Sequence, residues 1–319
     1  MSRRCRKRTP RFGIFLVFLS IAAVIGACII SWVMRLENFR EEKDAVRSFL
    51  YEGLHQNTYN GKSLLVIDRA NGDVFISKNE KEPRLPASLA KLFVIEYAAT
   101  LADLNSIVLA GEDALLLTKA DSSVADIETK EYFLHNLFAA MLVPSGNDAA
   151  YVVADYCGGL LAPEAESTEA RIRVFMAHLN DYLRERGYSD TVLYDPSGYD
   201  MDARTTVFDL RSVVDRLLEF PWFRDMISQS LYTATLPDGS SQSWENTNVF
   251  LDPSSDYYNE HVMGVKTGSL SGDYDLIVLY LQHGKEFLIC SLGSQSNSSR
   301  YDDVVHIIQT IDESDYLTR

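Results

Sequence analysis

Three short motifs supply the residue types that a serine acyl-transfer enzyme needs when lysine takes the place of histidine. They are, in chain order, Ser88-Leu89-Ala90-Lys91, Ser145-Gly146-Asn147 and Lys266-Thr267-Gly268. Together they provide hydroxyl groups, amines and an amide. A Ser-x-x-Lys pair alone is weak, because it occurs by chance in many chains. Three such motifs in a fixed order favour this chemistry.

The spacing of the first motif puts a hydroxyl within reach of an amine. Ser88 and Lys91 lie three residues apart, and residues with this spacing share one face of a helix. A lysine acts as a base only when it is neutral, so Lys91 needs burial or a nearby cation, for which Lys266 is the candidate. We expect Ser145 to relay a proton to the leaving amine. The amide of Asn147 could hold both the lysine and a substrate carbonyl.

The third motif follows a run of residues typical of a strand. Its backbone could therefore pair with an extended peptide as an added strand, and Gly268 would let that peptide approach closely. The backbone N–H groups of Ser88 and Ser269 are candidates for an oxyanion hole. Taken singly, each motif has an ordinary alternative. The two lysines could be solvated surface charges, and Ser145-Gly146-Asn147 could be a simple turn after a proline.

The pattern of apolar residues predicts strands at both ends of the outer region and helices between them. Asn71-Gly72 marks a turn between two strand-like runs, and Pro86 precedes a helix that begins near Ala87. Residues 110–230 have mostly helical spacing. The strand-like runs are 63–68, 73–77, 262–265, 276–281 and 287–292, with a closing helix at 304–311. We therefore predict an α/β (α+β) fold, a mostly antiparallel sheet flanked by helices with an inserted helical subdomain.

The first 34 residues predict a membrane anchor. Residues 1–12 carry six basic residues and no acid, and residues 13–34 are uncharged and mostly apolar. As a helix, the second segment would reach about 33 Å, enough to cross a bilayer core of about 30 Å. Basic residues stay on the cytoplasmic side. We thus expect a cytoplasmic tail, one transmembrane helix, a juxtamembrane helix at 35–60 and an extracytoplasmic catalytic domain at 61–319.

Two alternatives compete with a retained anchor. A cleaved signal peptide would have a shorter apolar run that ends at a small residue, whereas this run continues past Ala27 to Val33. Residues 25–28 resemble a lipobox in which Cys28 would carry the lipid, but the residues that follow are apolar rather than polar. The uncleaved single-pass anchor is therefore favoured.

Composition argues against several other classes of function. The net charge is −15 although the N-terminal segment is basic, and so acidic an outer region repels nucleic acid. No group of His and Cys residues has the spacing of a metal site. Beyond the predicted anchor, the cysteines are Cys157 and Cys290, which we expect to be buried small apolar side chains rather than a disulfide.

The chain resembles the penicillin-binding serine D,D-peptidases, and among them the low-molecular-mass D-alanyl-D-alanine carboxypeptidases. The resemblance covers roughly residues 62–311. It is carried by Arg84–Leu92, Met141–Ala150, Asn246-Thr247-Asn248 and Gly264–Gly268, and the Ser-Gly-Asn form of the second motif is typical of these carboxypeptidases. The run from Ser269 to Asp273 is shorter and more acidic than is usual in the family.

The resemblance implies a reaction and the residues that carry it. It makes Ser88 the acylated nucleophile and Lys91 its general base. The residues that would assist them are Ser145, Asn147 and Lys266. The implied reaction removes the terminal D-alanine from a peptidoglycan stem peptide of the cell wall through an acyl-enzyme, with β-lactams as covalent inhibitors of the same serine. No cofactor is implied.

The resemblance also implies which residues bind the substrate. They are Thr267, Gly268, Ser269 and Arg300. Thr267 would help to hold the terminal carboxylate. Arg300 follows the last predicted strand, where the family places an arginine for that carboxylate; the alternative is a surface charge at the start of a helix.

Two other functions stay open from the sequence. A β-lactamase would need a carboxylate that activates the deacylating water, and Glu164 and Glu166 lie in a loop without the sequence context for that role. A non-catalytic, membrane-tethered receptor for muropeptides or β-lactams would need no base, so the presence of both motif lysines argues against it.

Overall fold

A computed structural model of the chain describes the backbone of residues 11–56 and 58–318, and the side chains of residues 21, 24–55 and 58–317. The helices are α1 (Arg11–Gln56), α2 (Ala90–Leu101), α3 (Glu112–Leu115), α4 (Leu134–Leu142), α5 (Asn147–Leu161), α6 (Thr168–Arg186), α7 (Val207–Leu217), α8 (Pro221–Ile227) and α9 (Asn297–Glu313). The strands are β1 (Ser63–Asp68), β2 (Val74–Lys78), β3 (Ile107–Leu109), β4 (Glu131–Phe133), β5 (Leu231–Thr235), β6 (Ser241–Glu245), β7 (Val262–Leu270), β8 (Asp273–Gln282) and β9 (Lys285–Ser294).

The main sheet of the described residues joins the two ends of the outer region. Its five strands have the order β2-β1-β9-β8-β7, and all of their pairings are antiparallel. The predicted fold class and the placement of strands at both ends are thereby confirmed. A two-residue turn, Ser271-Gly272, joins β7 to β8 with φ values of 54° and 84°, the backbone that tight hairpins require. Strand β7 lies at one edge of the sheet, so one of its sides faces outward.

The sheet separates two hydrophobic cores because successive side chains on a strand point to opposite faces. On β8, Ile277 and Leu279 pack against α2 and the helices that follow it. Leu276 and Val278 of the same strand pack against α9 and the end of α1. Each of these side chains is fully buried and contributes about 1.5 to 3 kcal/mol relative to exposure. The first core fixes α2, and therefore the first motif, against the sheet.

The block between the two halves of the sheet contains α3 to α8, with β3–β4 and β5–β6 as two small antiparallel pairs. Local signals set its helix ends. The Thr206 hydroxyl accepts a hydrogen bond from the N–H of Asp209 at the start of α7, as an N-cap does. Gly187 ends α6 with a φ of 86°, the left-handed conformation that favours glycine.

The N-terminal segment is helical throughout residues 11–56. The expected anchor at 13–34 and the expected juxtamembrane helix at 35–60 form one continuous helix, α1, which ends at Gln56. The last turns of α1 pack on the globular part, where Leu50 and Leu54 are fully buried beside α9. This burial fixes the end of α1 on the globular part.

Within the side chains that the structure describes, we find no helix with both the length and the apolar character needed to cross a membrane. The side chains of residues 13–20, 22 and 23, which belong to the predicted anchor, lie outside that part. In the rest of the predicted anchor, the large apolar side chains that the structure describes are exposed, among them Val24, Ile29 and Trp32.

The described cysteines are free. Cys157 and Cys290 are buried in the hydrophobic core and form no disulfide, as their periodic setting predicts. Cys28 is exposed on α1, and Cys5 lies outside the described residues.

Candidate active site

Ser88 lies in a 3-10 turn, Ala87–Leu89, that leads directly into α2. The fully buried side chain of Leu89 holds this turn in the core. Ala87 has a φ of 45°, an uncommon backbone for a residue with a Cβ, and such strain persists only where the surroundings enforce it. Ser88 is partly exposed and faces a polar cleft of about 280 Å³.

Lys91 is fully buried one turn later on α2. Its Nζ lies 2.9 Å from Oγ of Ser88, 2.6 Å from Oδ1 of Asn147 and 3.1 Å from the carbonyl oxygen of Ser197. Because the last two atoms only accept, they can take the two N–H bonds of a neutral amine. The lone pair of Nζ then points to the Ser88 hydroxyl, which can donate to it.

Burial also lowers the pKa of Lys91 to about 7, and the negative charges of Asp195 and Asp148 oppose this shift. Of the two causes that the sequence left open for a lowered pKa, burial or the cation Lys266, burial has the largest effect on Lys91. Lys266 is itself buried, and burial followed by repulsion from Lys91 lowers its own pKa well below the usual value.

The second motif connects the two lysines. Asn147, at the start of α5, accepts from Nζ of Lys91, while Nζ of Lys266 donates to Oγ of Ser145 over 2.7 Å. Ser145 has a φ of 66°, and an added Cβ on Gly146 would lie 2.6 Å from the side chain of Ala125. The motif is therefore a tight buried corner and not a simple surface turn.

The third motif lies on β7, the edge strand beside the turn that carries Ser88. Nζ of Lys266 also donates to the carbonyl oxygen of Thr267 over 3.0 Å, and the hydroxyls of Thr267 and Thr247 are 2.7 Å apart. An added Cβ on Gly268 would lie 3.3 Å from the Cβ of Ala87. The glycine thus lets β7 approach the Ser88 turn closely, while Ser269 lines the cleft.

Arg300 is not the surface charge that the sequence left as an alternative. It is 5% exposed and reaches from α9 to the end of β7. Its Nη1 donates to the carbonyl oxygen of Gly268 over 2.9 Å and to Oγ of Ser269 over 3.2 Å. The guanidinium therefore supports the strand end that faces the cleft and leaves the hydroxyl proton of Ser269 free to donate elsewhere.

Sequence reasoning missed the loop that supplies the third partner of Lys91. One oxygen of Asp195 accepts from the N–H groups of Ser197 and Gly198, at 2.7 and 3.0 Å, and the other accepts from the N–H of Asp200. This aspartate turn aims the carbonyl of Ser197 at Nζ of Lys91. The Asp-x-Ser-Gly pattern is typical of such a turn, but it does not indicate what the turn contacts.

A second missed residue is Asp148, directly after the Ser-Gly-Asn motif. Its carboxylate accepts from the N–H groups of Ala125 and Ile127, each at 2.9 Å, and so holds a loop over the cleft. From that loop, Asp121 lines the cleft and accepts from the hydroxyl of Tyr199 at 3.0 Å. The side walls of the cleft thus come from segments outside the three motifs.

One substitution tests how the Asp195 turn supports the nucleophile. At Gly198, where φ is +81°, an added Cβ would lie 1.9 Å from the carbonyl oxygen of Ala87. We expect Gly198→Ala to lower the free energy of unfolding by about 3 kcal/mol, since a left-handed alanine costs about 1 to 2 kcal/mol and overpacking adds to it. Thermal or urea unfolding measures the loss.

Gly239 provides the matched control. Its φ is +83°, but an added Cβ would meet nothing within 4 Å. Gly239→Ala should therefore cost only about 1 kcal/mol. Equal losses for the two variants would contradict the contact between Gly198 and Ala87.

Comparison with known proteins gives a consistent result. A family model described as D-alanyl-D-alanine carboxypeptidase matches residues 52–279. The chain is 26% identical over 261 residues to D-alanyl-D-alanine carboxypeptidase DacD of Salmonella typhimurium, covering 77% of this chain and 61% of DacD. It is 25% identical over 254 residues to the D-alanyl-D-alanine carboxypeptidase of Streptomyces sp. K15, covering 76% of this chain and 84% of that enzyme. The chain thus spans about three fifths of the length of the Salmonella relative.

Solved structures show the same fold. The DD-transpeptidase of Streptomyces K15 superimposes with a TM-score of 0.70 at 23% identity, over 80% of this chain and 97% of that structure. Penicillin binding protein 6B of Escherichia coli superimposes with a TM-score of 0.66 at 22% identity, over 81% of this chain and 78% of that one. At these identities the likeness supports the architecture and not a substrate.

Proposed function

The chain belongs to the D-alanyl-D-alanine carboxypeptidase family, and from this membership we propose that it is a serine hydrolase that removes the terminal D-alanine from peptidoglycan stem peptides. The observation that carries the proposal is the fully buried amine of Lys91, 2.9 Å from the hydroxyl of Ser88. A lysine in that setting can be neutral near pH 7 and can accept the proton of the serine. β-Lactams would acylate the same hydroxyl.

In the proposed acylation step, Oγ of Ser88 attacks the carbonyl carbon of the penultimate D-alanine while its proton passes to Nζ of Lys91. The backbone N–H groups of Ser88 and Ser269 would stabilise the oxyanion that forms. The C–N bond to the terminal D-alanine then breaks. Its amine takes a proton through Ser145, whose hydroxyl is hydrogen-bonded to Lys266, and Lys91 returns to its neutral form.

Water completes the cycle in the same way. It attacks the ester carbonyl, its proton passes to Lys91, and the shortened peptide leaves with a new carboxylate as Ser88 regains its proton. Oδ1 of Asn147 accepts from Lys91, and its NH₂ group, which has no hydrogen-bond partner among the described residues, would donate to a substrate carbonyl. Both half-reactions can therefore use one base and one set of donors.

The open edge of β7 supports a binding mode for the substrate. An extended peptide can pair with this edge as an additional antiparallel strand, with its C-terminal carboxylate near the hydroxyls of Thr267 and Ser269. Arg300 would act on that carboxylate mainly through Ser269 and through its positive charge, since Nη1 already donates to Ser269 and to the Gly268 carbonyl.

The test is incubation of the purified chain from Arg35 onward with a peptide that ends in D-Ala-D-Ala, and separately with fluorescent penicillin. Release of D-alanine together with a long-lived penicillin adduct is the expected result. Rapid release of hydrolysed penicillin would instead identify a β-lactamase. Stable binding of penicillin without release of D-alanine would identify a receptor.

We further propose that residues 13–34 anchor the protein in the cell membrane, with residues 1–12 in the cytoplasm and the catalytic domain, 61–319, outside. The support is the basic tail and the uncharged apolar segment. We expect the full chain to sediment with membranes and to resist extraction by high salt, whereas a chain that begins at Arg35 should stay in the supernatant. Extraction of the full chain by salt or carbonate would contradict the anchor.

A further inference from the structure

Behind the floor of the cleft lies a buried carboxyl group, Asp275, that the proposed mechanism does not use. Asp275 is 1% exposed and stands opposite Gly268 where β8 pairs with β7. An added Cβ on Gly268 would lie 3.2 Å from Oδ2 of Asp275 and 3.3 Å from the Cβ of Ala87. The carboxyl therefore lies against β7 at the point where that strand approaches the Ser88 turn.

The hydrogen bonds of Asp275 satisfy only part of its carboxyl group. The pairing of β8 with β9 shifts register at this residue, and Oδ1 accepts from the N–H of Gly293 over 2.8 Å. Oδ2 is buried and has no hydrogen-bond partner among the described residues. A charged carboxylate is very costly in such a setting, because neither water nor a full set of donors compensates it.

Within the residues that the structure describes, Arg300 carries a buried donor without a partner, as Asp275 carries a buried acceptor without one. Its Nη1 donates to the backbone carbonyl of Asp275 over 3.0 Å, and its Nε is buried without a hydrogen-bond partner within the described part of the chain. Among the described residues no carboxylate forms an ion pair with this guanidinium. Burial lowers the pKa of Arg300, and Tyr301 and a negative charge on Asp275 oppose that shift. The positive charge of Arg300 thus remains uncompensated as long as Asp275 is neutral.

We propose that Asp275 is a positioning residue of the carboxylate pocket, which must stay protonated for Arg300 and β7 to bind the C-terminal carboxylate of a substrate. The proposal rests on the function proposed above. When Asp275 ionises, its negative charge lies directly behind Gly268, where it offsets the field of Arg300 and repels the bound carboxylate. The residue then sets the upper pH limit of substrate binding.

The charges around this carboxyl are few. Burial raises the pKa of Asp275 to about 8; the hydrogen bond from Gly293 lowers it, Asp273 on the same strand raises it, and Arg300 of α9 and Lys62 ahead of β1 lower it. Lys266 lies two residues before Gly268 on β7, and burial holds its own pKa well below the usual range. Asp275 is consequently an uncharged acid at neutral pH and becomes a carboxylate as the pH rises through about 8.

The decisive variant is Asp275→Asn, which keeps the shape and the acceptor for Gly293 but cannot ionise. For the unchanged protein, we expect the rate constant for acylation by fluorescent penicillin to fall about 25-fold from about pH 7.5 to about pH 9.5, following the protonated fraction of one group. In Asp275→Asn this decline should be absent. Asp273→Asn, which removes a half-buried carboxylate paired with Lys62, is the matched control and should keep the decline.

A second measurement needs no variant and covers the case in which Asp275→Asn does not fold. A peptide ending in D-Ala-D-Ala and the same peptide with an amidated C-terminus compete with penicillin for labelling. The advantage of the free carboxylate should shrink about 25-fold over the same pH range. An unchanged advantage, or an identical decline in wild type and Asp275→Asn, overturns the proposal. A chain that penicillin does not label at any pH would instead refute the proposed function.

Discussion

Replacement of Ser88 by alanine will abolish both the release of D-alanine and the formation of a covalent penicillin adduct. The only atom removed is the one that forms the acyl bond, so no other group can take over the covalent step. We expect a loss of at least about 1,000-fold, the scale found when the nucleophile of a serine hydrolase is removed. Gel fluorescence after penicillin labelling and a D-alanine assay measure it.

Ser122→Ala is the matched control for that experiment. Ser122 also lines the cleft, but its hydroxyl donates to the carbonyl oxygen of Lys119, three residues earlier. Its removal should leave the labelling rate within about threefold of wild type, as for most surface substitutions. Labelling that persists in Ser88→Ala and disappears in Ser122→Ala would place the nucleophile elsewhere in the cleft.

Replacement of Lys91 by methionine will slow acylation by about 100-fold to 10,000-fold, the range that general-base catalysis supplies. Methionine has a similar length and no charge, so the buried site can keep its shape while Ser88 loses its proton acceptor. Asn147 and the Ser197 carbonyl lose their donor at the same time. The measurement is the rate constant for penicillin labelling under single-turnover conditions.

The pH dependence separates this role from a structural one. The pKa of Lys91 is lowered to about 7 by burial, so labelling of the wild type should rise with pH through about 7 as the amine loses its proton, and Lys91→Met should show no such rise. The same lowered pKa links the stability of the fold to pH. Between about pH 7 and pH 10.5 the unfolded chain binds more protons at Lys91 than the folded chain does. The free energy of unfolding should therefore rise with pH through that range, as the cost of burying a charged lysine disappears.

Lys62→Met is a suitable control for loss of a lysine. Lys62 forms an exposed ion pair with Asp273, and such pairs contribute about 0 to 1 kcal/mol. Its removal should change neither the rate constant for penicillin labelling nor the rise of that rate constant near pH 7. A rise in labelling that survives in Lys91→Met would show that another group is the base.

Much of the architecture could be predicted because its signals are local. Asn71-Gly72 marked the turn before β2, and the unbroken apolar run of 276–281 marked a strand buried on both faces. The approach of Ser88 to Lys91 followed from helical spacing alone. The burial of Leu50 and Leu54 against α9 was less predictable, because that contact is distant in sequence.

The remaining parts of the site have no local signal. The partner of Lys91 at residue 197 is a backbone carbonyl, which any residue type would supply. Asp148 accepts a hydrogen bond from the backbone N–H of Ile127, which lies 21 residues earlier in the chain. Asp275 faces Gly268 only because of the strand register and the shift opposite Gly293. Such contacts depend on tertiary packing, so the motifs identified the chemistry while the folded chain supplied its surroundings.

The unbroken course of α1 has a consequence for where the cleft can work. With residues 13–34 in a bilayer as proposed, the part of α1 from Met34 to Val46, where contacts with the globular part begin, would hold that part about 18 Å from the membrane, at a rise of about 1.5 Å per residue. One residue inserted into this segment would change the height very little but would rotate the cleft by about 100° around the helix axis. The length of the segment would therefore set the direction in which the cleft faces far more than its distance from the membrane.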